Sequence, residues 1–90
     1  MTSEKEFIIS NKLGLHARPA ASFVRVANSF KAEVWVANEE EEVNGKSIMG
    51  LMMLAAGPGS KITVRTEGAD AEEAIRGIEA LIDAGFNEGS

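Results

Sequence analysis

The 90 residues contain one histidine, and its neighbours give that side chain a chemical setting. It lies in the run Leu13-Gly14-Leu15-His16-Ala17-Arg18-Pro19-Ala20-Ala21. An imidazole nitrogen is a nucleophile that can take a phosphoryl group and pass it on. Pro19 suits the first turn of a helix, where a missing N–H has no intrahelical partner to lose. Ala20, Phe23, Val24 and Ala27 then recur on one helical face. His16 therefore falls at or near the N-cap. The backbone N–H groups of Ala17 and Arg18 should point out of the helix end. That end carries partial positive charge and favours an anion, phosphate above all. Arg18 adds a full charge and a planar fork of donors suited to phosphate oxygens. Residue types alone leave open a histidine that merely caps the helix or sits in its loop.

A second stretch bears on interaction. Lys46-Ser47-Ile48-Met49-Gly50-Leu51-Met52-Met53-Leu54 reads as a short helix with Ser47 as its N-cap. Leu51 and Leu54 can point inward. Ile48, Met49 and Met52 fall on another side, where they would be exposed together. Methionine adapts to more than one partner surface. Apolar residues at helical spacing are also the ordinary content of a core, and the pattern leaves both open. A phosphate on Ser47 would sit at a second helix N-terminus, beside the apolar residues.

The remaining elements must hold these two stretches. Residues 5–10, with Phe7, Ile8 and Ile9, read as a first strand, and 11–15 as a loop that Gly14 lets turn. The first helix is expected at 17–28, with Arg25 exposed. Residues 33–37 alternate as a strand, with Val34 and Val36 inward and Trp35 on the opposite face. Glu39, Glu40, Glu41 and Glu42 form an acidic hairpin tip, expected to lie away from His16. Adjacent carboxylates in such a tip do not converge on a cation. The acidic run leads into a short strand with Val43 as its inward residue, and Asn44-Gly45 turns. Residues 61–67 alternate again, with Ile62 and Val64 inward. Asp70 and Glu73 have capping-box spacing at the start of a last helix. Ala74, Ile75, Ile78, Leu81 and Ile82 give that helix its apolar face, and Gly85 ends it. Residues 86–90 read as a frayed tail. The sum is a two-layer α+β domain over 1–90, four strands with three helices on one face. Phe7 or Ile8 or Ile9, Phe23, Ala27, Val34, Val36, Ile62, Val64, Ile78 and Leu81 should fill its core.

Composition narrows the function. A net charge of −5 argues against a general nucleic-acid binder. With no cysteine and one histidine, neither a disulfide scaffold nor a structural zinc site is expected. No metal and no cofactor is expected. Residues 1–6 are polar and charged, unlike a secretory signal, and the apolar run at 48–56 is too short to cross a bilayer. A cytoplasmic protein without membrane insertion is the expectation. No nucleotide-cradling P-loop is visible, so independent turnover is not expected.

Gly14-Leu15-His16-Ala17-Arg18-Pro19-Ala20 and Asn44-Gly45-Lys46-Ser47-Ile48-Met49-Gly50-Leu51, with the spacing between them, resemble the HPr family. These are the histidine-containing phosphocarriers of the bacterial phosphoenolpyruvate-dependent sugar phosphotransferase system. The resemblance implies an open-faced β-sandwich, βαββαβα, with a four-stranded antiparallel sheet. It implies that His16 is phosphorylated on Nδ1 by phospho-enzyme I and donates to a IIA protein or domain. It implies that Arg18 neutralises the phosphoryl group and that Ser47 is phosphorylated by an HPr kinase/phosphorylase, slowing transfer. It places partner docking at Ala17, Ala21, Arg25, Ile48, Met49 and Met52, on a monomeric carrier rather than an enzyme. Related carriers serve a nitrogen-regulatory chain, and others bind a regulatory target, so these stand as alternatives. The presence of His16 separates the chain from histidine-lacking paralogues.

Overall fold

The computed structural model describes residues 1–10, 14–54 and 57–87. The expected loop residues 11–13, the end of the apolar run at 55–56, and residues 88–90 of the tail lie outside these. The elements in order are β1 (Thr2–Ile8), α1 (Ala17–Asn28), β2 (Glu33–Ala37), β3 (Glu42–Asn44), α2 (Ile48–Met53), β4 (Lys61–Glu67) and α3 (Ala71–Asp83). A short 3₁₀ turn, Gly85–Asn87, follows.

The strands form one sheet in the order β1-β4-β2-β3, and each neighbouring pair is antiparallel. The register aligns one apolar face: Phe7 opposes Ile62, and Val36 lies between Val64 and Val43. On that face the helices bring in Ala20, Phe23 and Ala27 from α1, Leu51 from α2, and Ile75, Ile78, Leu81 and Ile82 from α3. This is the expected two-layer arrangement, with an open outer face. On the outer face Trp35 is half-buried, and the Arg65 guanidinium lies 6.0 Å from its ring centroid. Arg65 also pairs with Glu42 and Glu67, and the hydrogen bond it donates to Glu42 leads in raising its pKa.

Three expectations need correction. The first strand begins at Thr2 rather than at residue 5. Its polar residues Thr2, Glu4 and Glu6 point to solvent, so pairing with β4 satisfies their backbone at little desolvation cost. Phe7 and Ile9 are buried, whereas Ile8 is exposed.

Residue 86 is not frayed tail. Phe86 is buried in the core at a left-handed φ of 59°. The left-handed backbone costs about 1–2 kcal/mol, and burying the ring contributes about 1.5–3 kcal/mol. Gly85, at φ 62°, ends α3 as expected and turns the chain so that the ring can reach inward.

Asp70 forms no capping box. It is the N-cap of α3 but makes no side-chain cap bond. Its carboxylate instead accepts from the amides of Lys31 at 2.9 Å and Ala32 at 2.8 Å, where the chain enters β2. Those amides would otherwise lack an acceptor beside a buried alanine. The Lys31 amide, helped by that of Ala32, holds the Asp70 carboxyl below its usual range. A lowered folded-state pKa contributes stability above the unfolded value of about 3.9, and this is lost as pH falls through the folded value. Asp70→Asn is therefore expected to lower Tm near neutral pH. Thermal melts should show the gap from the parent protein closing on acidification below the ordinary carboxylate range.

Candidate functional site

The site begins where β1 runs out. Gly14 takes a φ of 72°, a conformation in which glycine avoids the Cβ penalty. The His16 amide donates to the Gly14 carbonyl at 3.1 Å, closing a tight turn around Leu15. Leu15 is buried and pins this turn to the core. His16 is then the N-cap of α1, with extended backbone at φ −90° and ψ −167°. Its carbonyl accepts the Ala20 amide at 3.0 Å, while its side chain makes no cap bond. The side chain is neither buried nor fully exposed, and Ala17 and Arg18 beside it are exposed.

The electrostatics follow from the first turn. Ala17 and Arg18 supply amides with no intrahelical acceptor, Pro19 has none to offer, and Ala20 has used its own. No carboxylate lies in this turn. The contrast with α3 is direct, since Glu72 and Glu73 offset the dipole there. The α1 end is left electropositive, and Arg18 adds to it. Such an end can hold an anion on backbone amides.

The second stretch adopts its expected form. Ser47 is the N-cap of α2, and its Oγ accepts the Gly50 amide at 3.0 Å. A Cβ at Gly50 would stand 3.3 Å from that Oγ, so glycine leaves the cap room. The preceding turn depends on another close approach. The Gly45 amide donates to the Val34 carbonyl at 2.7 Å, and a Cβ there would meet Val34 Cγ1 at 2.5 Å. Leu51 and Leu54 are buried, and Ile48, Met49 and Met52 are exposed. Helix α2 packs against α1. On α1, Ala17, Ala21 and Arg25 succeed one another at four-residue steps, and Ala17 and Arg25 are exposed.

Sequence reasoning passed over Met53, which is also exposed. Its signal was the four-residue step from Met49. The acidic turn was expected to lie away from the site. The structure ties it to the far end of α2, since Asn38 Nδ2 donates to the Leu54 carbonyl at 3.3 Å. Asn38 Oδ1 in turn accepts the amides of Glu40 and Glu41 at 2.8 and 2.9 Å, which shapes the tip. A surface hollow of about 410 Å³ beside this turn is lined by Glu6, Glu39 and Glu40 with Lys61, and includes neither His16 nor any residue of α1. Its carboxylates suit no anion. Among the described residues no group of three His, Cys, Asp or Glu could hold a metal ion. No helix of the described residues is long and apolar enough to cross a membrane.

Comparison with known proteins bears on this geometry. A family model described as "PTS HPr component phosphorylation site" matches residues 3–84. The phosphocarrier protein HPr of Neisseria meningitidis serogroup A is 56% identical over 81 residues, covering 90% of this chain and 91% of that protein. Among solved structures, HPr-C-His from Thermoanaerobacter tengcongensis superposes with a TM-score of 0.92 at 45% identity, covering 96% of this chain and 97% of that one. An HPr dimer from the same organism gives a TM-score of 0.77 at 46% identity, covering 91% and 94%.

Proposed function

The chain belongs to the HPr family of phosphocarrier proteins of the phosphotransferase system, and from that premise we propose that His16 is the residue that carries the phosphoryl group. The family works with enzyme I and IIA proteins. In the proposed cycle neutral His16 attacks phosphorus through Nδ1. The bond from phosphorus to the donor, phospho-enzyme I, breaks as the bond to nitrogen forms. The reverse sequence passes the group to the IIA protein or domain of a sugar-specific enzyme II. Charge on the equatorial oxygens is met by the Arg18 guanidinium and the amides of Ala17 and Arg18. The single observation that carries this reading is the position of His16 as the N-cap of α1, next to Arg18 and a first turn that holds no acidic residue.

The rest of the proposal concerns partners. Ala17, Ala21 and Arg25 of α1, with Ile48, Met49 and Met52 of α2, form the docking face. A small apolar contact of this kind suits partners that must exchange in turn. Ser47 is the regulatory site, phosphorylated by an HPr kinase/phosphorylase. The chain acts as one cytoplasmic domain over 1–90, as a monomer, and does not turn over substrate alone.

The test is direct. Incubation with phosphoenolpyruvate and enzyme I should place one acid-labile phosphate on each chain, measured by labelled phosphate retained at neutral pH and released by acid. No incorporation, or a phosphate that survives acid, would contradict the assignment.

A further inference from the structure

We propose that Met49, Met52 and Met53 form an oxidation-sensitive site at which peroxide turns the docking face polar and weakens phosphoryl exchange with its partners. The inference rests on reading the outer side of α2 as that face. Helix α2 has the sequence Ile48-Met49-Gly50-Leu51-Met52-Met53 and carries no charged residue. Whatever docks there must therefore be held by apolar area. Three of its six residues are methionine, and they are 73%, 45% and 69% exposed, whereas Leu51 between them is 0% exposed. Ile48 with Met52, and Met49 with Met53, stand one turn apart, so the exposed side chains form a continuous patch. The chain has no cysteine, so no thiol competes within it for an oxidant. Its fourth methionine, Met1, stands apart at the start of the chain and is 79% exposed.

The chemistry is a two-electron oxygen transfer. The thioether sulfur attacks one oxygen of hydrogen peroxide, and the O–O bond breaks. Sulfur is oxidised to the sulfoxide. The second oxygen is reduced and leaves as water with both protons. The product is a polar, chiral group where an apolar one stood, and methionine sulfoxide reductases reverse it. A partner closing over that patch would have to desolvate the new S–O dipole. The backbone of α2 is untouched, because Leu51 and the Ser47 cap face elsewhere.

The experiment uses the full chain. It is treated with hydrogen peroxide, sulfoxides are located by peptide mass, and phosphoryl transfer from phospho-enzyme I is timed. Met49 and Met53 should oxidise before the more sheltered Met52. Transfer should slow by about tenfold, the scale set by losing one good apolar contact, mainly through KM. Methionine sulfoxide reductase should restore it. In a Met49→Leu, Met52→Leu, Met53→Leu variant, the ratio of rates before and after peroxide should be near one, whatever the starting rate. An unchanged rate in the oxidised parent, or an equal loss in the triple variant, overturns the proposal. An Ile48→Glu variant separates it from the reading beneath it. If that variant transfers slowly and the sulfoxides do not, the oxidation site is wrong and the docking face stands. If neither slows transfer, both are wrong.

Discussion

Replacing His16 by alanine is expected to abolish acid-labile phosphorylation by phosphoenolpyruvate and enzyme I. No second histidine and no cysteine is present to take over. A hydroxyl such as that of Ser47 would give an ester, which acid does not release. The residual rate should fall by at least about a thousandfold, or about 4 kcal/mol in the barrier. The fold should survive, because buried Leu15 anchors this segment to the core whatever side chain residue 16 carries. The tight turn before it is made by backbone, from the His16 amide to the Gly14 carbonyl. Labelled-phosphate incorporation checks the chemistry, and an unchanged thermal melt checks the fold. Incorporation at the parent rate would mean that another residue carries the group. The electropositive end of α1 would then need a different occupant.

This expectation could be reached from sequence because the site is local. His16, Ala17, Arg18 and Pro19 are adjacent, and one helix start positions all four. The helix itself was legible from the spacing of Ala20, Phe23 and Ala27, all of which are buried. The alternation in β2 and β4 placed Val34, Val36, Ile62 and Val64 inward for the same reason. What the sequence did not reveal depended on partners distant along the chain. Asp70 looked like a capping residue because capping is a local pattern. Its carboxylate serves Lys31 and Ala32, which only the tertiary fold brings near. Phe86 followed a helix-ending glycine and carried no periodic signal. It is buried because the end of α3 lies over the core. Residues 2–4 had no apolar pattern, and β4 recruits them into a strand.

The proposed docking face shows the same limit in another form. Periodicity could say that Ile48, Met49 and Met52 share a side, but not whether anything covers it. The sheet and α1 already bury Leu51 and Leu54, so the rest of α2 has nothing left to pack on. The large apolar residues of α2 other than Leu51 therefore remain at the surface. An exposed apolar surface of this kind is what the proposed docking of successive partners would cover.

Ser47→Asp is expected to slow acceptance from phospho-enzyme I by roughly ten- to a hundredfold, about 1.4–2.7 kcal/mol. The size follows from where the charge falls. Ser47 Oγ accepts the Gly50 amide, and aspartate is as good an N-cap as serine. The helix end, with no carboxylate of its own in the first turn, tolerates the new charge. The fold should therefore be unharmed, and the cost should appear on docking. A partner covering Ile48 must then strip water from a carboxylate one residue away. Ser47→Asn separates charge from capping, because asparagine caps equally well and carries none. It should transfer at close to the parent rate. Ser47→Ala loses the cap, at about 1 kcal/mol of stability, yet leaves the face apolar, so its transfer rate should change less than its Tm. Stopped-flow or quench measurements of transfer, paired with melts of the three variants, test the ordering. If asparagine slows transfer as much as aspartate does, the hydroxyl itself is needed and charge beside the face is not the control. If neither slows it, Ser47 lies outside the docking contact.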